Sequence, residues 1–172
     1  KNPVMHTILP GTEVHNSVGL LGEANVLNLL QLQVPGVKDV FFTHGGCGFY
    51  GAVVQIAQTR AGWAKQAILA AFAAFPPLKT VTVVDDDVNI YDPTDVEWAM
   101  TTRLDPDKGI MIFRDIFGHG LNPSFPDYLG NKVGYDATQP FPHRPEFERA
   151  AMKKMSLDGL DIVTPDITAP KG

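Results

Sequence analysis

Cysteine is nearly absent from this chain: Cys47 stands alone among 172 residues. No internal disulfide can form, and one thiol suits a reducing, cytoplasmic compartment. Positive charge is also in deficit, with 14 Lys and Arg against 19 Asp and Glu, a formal net charge of −5. That balance lacks the basic footprint of a nucleic-acid or anionic-lipid partner. No apolar run approaches the roughly 18–20 residues that span a bilayer, so no membrane span is expected. Lys1-Asn2-Pro3 leads straight into a β-like run and does not resemble a secretory signal. Low-complexity blocks and internal repeats are missing too. A chain of this length with 44% hydrophobic residues can bury roughly 70% of its extended surface, which predicts one packed domain.

The chain opens without Met, within a few residues of a strand-like segment. Tag removal, N-terminal processing and a fragment of a longer polypeptide all fit, and composition does not choose among them. Val4 to Leu9 reads as a first strand, closed by the turn Pro10-Gly11. A helix is expected from Ser17 to Val34, where Val26, Leu29, Leu30 and Gln33 follow helical spacing and Pro35-Gly36 ends it. Strands follow at Val37 to Thr43 and Ala52 to Thr59, separated by Gly45, Gly46 and Gly48. Ala61 to Phe75 is an Ala-rich helix, apolar almost all round, which predicts cover on both sides or from a partner subunit. Thr80 to Val84 is β-branched without alternation, as for a strand buried on both faces of a parallel sheet.

Asp92 or Thr94 caps the next helix, which runs to Arg103; Thr94 and Glu97 have capping-box spacing. Gly109 to Phe113 reads as a fifth strand. Asp115 to Arg144, rich in Gly, Pro and Asn, reads as a long irregular stretch of functional or interface character. A last helix is expected from Pro145 to Met155, acidic in its first turn and basic in its last. Residues 155–172 read as an extended tail. Alternating strands and helices predict an α/β layered domain whose mainly parallel or mixed sheet is flanked by helices.

Several groups of residues bear on chemistry. Asp85-Asp86-Asp87 follows a buried strand, at the end where α/β proteins place ligands. The three carboxylates could hold Mg²⁺ or cap the following turn, and the structural role is favoured. His44-Gly45-Gly46 has the composition of an esterase oxyanion loop, but no G-x-S-x-G elbow accompanies it. Cys47 as nucleophile with His44 as base would make a small hydrolase; a small buried residue in a tight turn is the favoured alternative. No glycine run matches G-x-G-x-x-G, so a Rossmann cofactor site is unsupported. His6 and His15 lie too far from other ligand types to suggest a metal site. Around Phe117-Gly118-His119-Gly120-Leu121-Asn122-Pro123, an imidazole and an amide sit among apolar residues. Such a set fits either a pocket for a planar, partly polar ligand or a solvated loop.

One block carries a resemblance. Val83-Val84-Asp85-Asp86-Asp87-Val88-Asn89, Asp95-Val96-Glu97-Trp98-Ala99-Met100-Thr101-Thr102-Arg103 and Asp105-Pro106 are similar to the signature of the UbiD family of decarboxylases. Val4-Met5-His6, Gly62-Trp63-Ala64-Lys65 and Gly130-Asn131-Lys132-Val133-Gly134-Tyr135-Asp136-Ala137-Thr138 extend the likeness from Pro3 to Met155. The resemblance implies that this chain is the last part of a three-part enzyme, starting downstream of the catalytic Glu–Arg–Glu group. In that family an N-terminal domain binds prenylated FMN with Mn²⁺ and K⁺. The C-terminal domain mediates homo-oligomerisation, at least to a dimer, and closes one side of the active site.

By offset from the Arg103 block, His119 and Leu121 match positions that line the substrate pocket in ferulate-type members. Those members carry an aromatic residue where this chain has His119, which points to a polar aromatic or heteroaromatic acid: a phenolic, furan or pyrrole carboxylate. No cofactor, metal ligand or catalytic group is expected in this chain, which would be inactive alone. The alternative is a non-catalytic scaffold or binding subunit that partners a separate flavin-binding chain.

Overall fold

The computed structural model describes residues 13–150, with only the backbone of 13–16. The expected strand at Val4 to Leu9, His6 and the tail from residue 155 lie outside the described residues, as does the side chain of His15. Helix α1 spans Glu13–Gln33 and strand β1 Val37–Phe42. Next come β2 (Gly51–Ile56), α2 (Trp63–Ala74) and β3 (Thr80–Asp85). After them stand α3 (Pro93–Thr102), the short α4 (Pro106–Gly109), β4 (Ile110–Phe117) and β5 (Leu129–Ala137).

The five strands form one sheet in the order β1-β2-β3-β5-β4. β2, β3 and β5 run parallel, while β1 and β4 pair antiparallel at the two edges. The sheet is therefore mixed, and the α/β expectation holds. β2 and β3 are almost wholly buried, as their unbroken apolar runs require when both faces are covered. On one face α1 and α2 pack with Val54, Ile56, Val81 and Val83 into the larger core. On the other, Val96 and Ala99 of α3 meet Val53, Val84 and Ala137.

α2 is covered from two sides, by the sheet and by α1, which accounts for its apolar circumference: Ala64, Ala67, Ile68, Ala70 and Ala71 are all buried. The approach to the sheet is close. A Cβ added to Gly134 of β5 would lie 2.3 Å from Ile68 Cγ2, so this strand position has room only for hydrogen.

Two sequence expectations need correction, and one choice between Asp92 and Thr94 is decided. The stretch Asp115 to Arg144 contains a nine-residue strand, β5, beside β3 in the middle of the sheet. Asp92 caps α3 by accepting from Thr94 N–H at 2.9 Å, so the Thr94–Glu97 capping box is not used. The segment expected to begin a helix at Pro145 makes a single 3₁₀ turn, Pro145–Phe147, and Glu148 is already extended. Residues 151–155 of that expected helix lie outside the described residues.

Candidate functional site

The parallel strands give the sheet two chemically distinct ends. At their carboxyl ends, β3 delivers Asp85 and the loop after it Asp87, while α3 delivers Arg103 at its C-cap. Arg103 Nη1 donates to Asp85 Oδ2 at 2.9 Å and to Asp87 Oδ1 at 2.7 Å; Nη2 donates to Asp87 Oδ2 at 2.6 Å. The fork geometry of a guanidinium suits this bidentate grip. Asp85 also accepts from the Gln139 N–H at 2.7 Å, tying the end of β5 to the end of β3. Burial raises the Asp85 carboxyl above its ordinary range, with the Gln139 N–H and Arg103 opposing that rise. The hydrogen bonds from Arg103 hold Asp87 below the ordinary range.

Two guanidiniums lie near the Trp98 ring, Arg103 at 4.8 Å and Arg149 at 4.4 Å from its centre. Arg149 in turn pairs with Asp95. Two of the three adjacent aspartates are thus committed to an arginine. Among the described residues no group of three His, Cys, Asp or Glu side chains could hold a metal ion. The structural reading of Asp85–Asp87 is the one the geometry supports.

At the amino ends of the same strands lies the His119 loop. Its imidazole packs edge-on against Phe49 and Tyr50, at centroid distances of 5.4 and 6.0 Å. Tyr50 stands just before β2, so the sheet itself fixes one wall of the cluster. Tyr50 Oη lies 3.4 Å from His119 Nδ1, and the Leu121 N–H approaches the same nitrogen at 3.3 Å. A backbone N–H can only donate, so Nδ1 accepts and the neutral ring carries its proton on Nε2. His119 and Leu121 thus meet in one turn of the loop, and Leu121 is 44% exposed. The loop is built rather than loose. Asn122 Oδ1 accepts from Ser124 N–H and Oγ–H at 3.0 and 2.8 Å, Lys79 Nζ donates to Ser124 Oγ at 2.7 Å, and Phe125 is buried. Phe117 stacks on Tyr128 at 5.9 Å.

Phe49, Tyr50 and Lys79 escaped the sequence reading because about seventy positions separate Tyr50 from His119, and only parallel pairing brings such distant segments to one end. The His44–Cys47 pair does not form a nucleophile and base. Cys47 is left-handed, with φ 57°, and its N–H donates to the His44 carbonyl at 3.0 Å. The His44 ring instead lies edge-on to Phe41 at 5.6 Å, and no hydrogen bond joins it to the thiol.

A third buried group was not foreseen. Lys132, in the middle of β5, is 1% exposed; its Nζ donates to the Pro76 carbonyl at 2.6 Å and lies 5.3 Å from the Phe72 ring centre. Desolvation pushes its ammonium down to about 8.

Comparison with known proteins gives these arrangements a context. The family model of the 3-octaprenyl-4-hydroxybenzoate carboxy-lyase C-terminal domain, UbiD_C, matches residues 15–137. A protein of the cooM 5′ region of Rhodospirillum rubrum is 71% identical over 94% of this chain and 35% of its own length. The anhydromevalonate phosphate decarboxylase of Methanocaldococcus jannaschii is 45% identical over 87% of this chain and 37% of its own. The gallate decarboxylase of Lactiplantibacillus plantarum is 36% identical over 91% and 35%.

Among solved structures, the UbiD-class enzyme HmfF from Pelotomaculum thermopropionicum in complex with FMN superposes with a TM-score of 0.80. It is 41% identical, over 87% of this chain and 34% of that one. An evolved dimeric form of HmfF in complex with prFMN gives 0.71 at 37% identity, over 94% and 34%. The chain therefore spans about a third of the length of the relatives it matches.

Proposed function

Because the chain belongs to the UbiD C-terminal domain family, we propose that it is the substrate-facing domain of a prenylated-FMN-dependent (de)carboxylase acting on aromatic or heteroaromatic acids. It works in the cytoplasm as part of a homo-oligomer of at least two copies, beside N-terminal and central domains that hold the flavin. The observation that carries the substrate reading is the His119 cluster: an imidazole fixed between Phe49, Tyr50 and the Leu121 N–H, at the amino end of the parallel strands.

The bound flavin would supply the electron sink for loss of CO₂. The described residues do not fit the accompanying metals, since Asp85 and Asp87 are engaged by Arg103 and no other three-ligand group exists among them. No chemical step is therefore assigned to this chain. Its own part is orientation. With Nδ1 accepting from Leu121, His119 presents Nε2–H as a donor to a ring hydroxyl or heteroatom, while exposed Leu121 gives an apolar surface for the ring. A site that donates a hydrogen bond discriminates strongly against analogues unable to accept it.

The test is a substrate panel on the intact protein supplied with prenylated FMN. Phenolic, furan and pyrrole carboxylates are expected to turn over, and His119→Phe is expected to move preference toward cinnamate-like acids. An unchanged profile would remove His119 from the pocket. A second reading, a phosphorylated aliphatic acid, is favoured by the 45% identity to the anhydromevalonate phosphate enzyme. Turnover of that substrate with none of the aromatic acids would select it.

A further inference from the structure

Tyr50 and Leu121 reach the same ring nitrogen of His119, but they are not equivalent partners. The Leu121 N–H belongs to the loop and travels with the imidazole it holds. Tyr50 belongs to the sheet. It directly precedes β2; its N–H donates to the Gly46 carbonyl at 2.7 Å, and its carbonyl accepts from the Lys79 and Thr80 N–H groups at 2.7 and 3.0 Å. The residue is buried, and its ring packs on Phe49 with centroids 4.3 Å apart. Its hydroxyl is therefore a fixed point, and the 3.4 Å contact with Nδ1 ties a loop histidine to a strand end 69 positions away.

One arrangement of protons satisfies this contact. The Leu121 N–H can only donate, so Nδ1 accepts and the phenol must donate to it as well. The distances, 3.3 and 3.4 Å, are long for single bonds and fit one lone pair shared between two donors. A proton on Nδ1 would instead set the Leu121 N–H against another N–H. Burial raises the Tyr50 hydroxyl above its ordinary range, with Cys47 adding to the rise, so the phenol keeps the proton it donates. Both partners act on one side of the ring. On the other side Nε2 has no hydrogen-bond partner among the described residues, and it carries the proton.

That asymmetry matters for the ring that meets Nε2. Furan and pyrrole carboxylates of the same substitution have nearly the same shape and differ at one ring atom. The furan oxygen accepts a hydrogen bond, whereas the pyrrole N–H only donates. Against a fixed Nε2–H, a furan or phenolic oxygen is paired, while a pyrrole leaves two donors facing each other. Sites built to make a hydrogen bond reject analogues unable to complete it, because the site's own polar group is then left unpaired. A histidine free to carry its proton on either nitrogen loses that discrimination, since Nε2 can then accept from the pyrrole.

We propose that Tyr50 is a positioning residue whose hydroxyl fixes His119 as a donor and so selects furan and phenolic acids over pyrrole acids. This assignment rests on the substrate-facing reading of His119, and two measurements separate the two. The first is ¹⁵N NMR of the histidine-labelled protein, recorded above the range in which histidine titrates, with His119→Phe identifying the resonances. Nδ1 should fall in the unprotonated range and Nε2 in the protonated one, and in Tyr50→Phe the two should move toward each other. The second is the ratio of kcat/KM for furan over pyrrole carboxylate in the intact protein supplied with prenylated FMN. It should fall at least tenfold in Tyr50→Phe, which keeps the aromatic ring against Phe49. A purely structural role would lower the thermal midpoint of that variant and leave shifts and ratio where they were, which overturns the assignment. So does a parent ring protonated on Nδ1, without recourse to any variant. Moved shifts with an unchanged ratio overturn it too when His119→Phe alters the substrate profile. A profile unaltered by His119→Phe defeats the substrate-facing reading instead; the selection of substrates falls with it, and the role of Tyr50 in fixing the ring proton is decided by the ¹⁵N shifts.

Discussion

Two buried cations show how differently a charge can be accommodated. Arg103 is surrounded by carboxylates, and its side chain and that of Asp85 are 1% and 2% exposed. Removing it would strand Asp85 as an uncompensated buried anion, so Arg103→Met should cost about 3–5 kcal/mol in urea unfolding. Among the described residues, Lys132 has only the Pro76 carbonyl and the Phe72 ring. Its ammonium titrates near 8 when folded against an ordinary value of 10.5. Between those values the unfolded chain binds more protons than the folded one, so stability should rise with pH across that window and level off above it. Below about pH 8 both states are protonated and the full penalty is present. Lys132→Met should abolish the rise, and at neutral pH it should be at least as stable as the parent, because the exposed Pro76 can turn to water. Chemical denaturation at pH 7, 9 and 10.5 would check both statements; a parent protein with a flat profile would show that Lys132 stays charged.

Among the elements, those with strong periodicity or uniform burial were legible and those built around a close approach were not. β3 could be read because Thr80 to Val84 is β-branched throughout, and a strand covered on both faces needs no alternation. α2 could be read from its apolar circumference, since its two neighbours demand it. β5 escaped because Gly130, Asn131, Lys132 and Gly134 carry the composition of a loop, while each has a tertiary reason to be there. Gly134 makes way for Ile68, and Lys132 reaches the Pro76 carbonyl. Gly134→Ala should therefore destabilise by about 1–3 kcal/mol, as overpacking does. The penalty should shrink in an Ile68→Ala background, and a double-mutant cycle in urea would read that coupling. The start of α3 offers a smaller test: Asp92→Ala removes the side chain that caps Thr94 N–H and should cost about 1 kcal/mol.

At the scale of the molecule, parallel pairing separates two kinds of work. The amino ends of β2 and β3 carry Tyr50 and Lys79, which hold the His119 loop; the carboxyl ends carry Asp85, which holds Arg103 and accepts from the Gln139 N–H. Sequence could supply His119, Leu121 and the Asp85–Arg103 block as candidates. It could not show that they lie at opposite ends, because that placement comes from strand order. Among the described residues the two ends share no hydrogen-bonded partner, so changes at them should act independently. His119 is half-buried and bonded at distances of 3.3 Å or more, so His119→Phe should change stability little while shifting substrate preference in the intact enzyme. Arg103→Lys should do the reverse, since the ammonium keeps the charge but loses the bidentate grip on Asp87. The double variant should then show the sum of the two stability changes within about 0.5 kcal/mol and the substrate profile of His119→Phe alone. A profile altered by Arg103→Lys would mean that the two ends of the sheet communicate, and the division of labour drawn from the topology would fail.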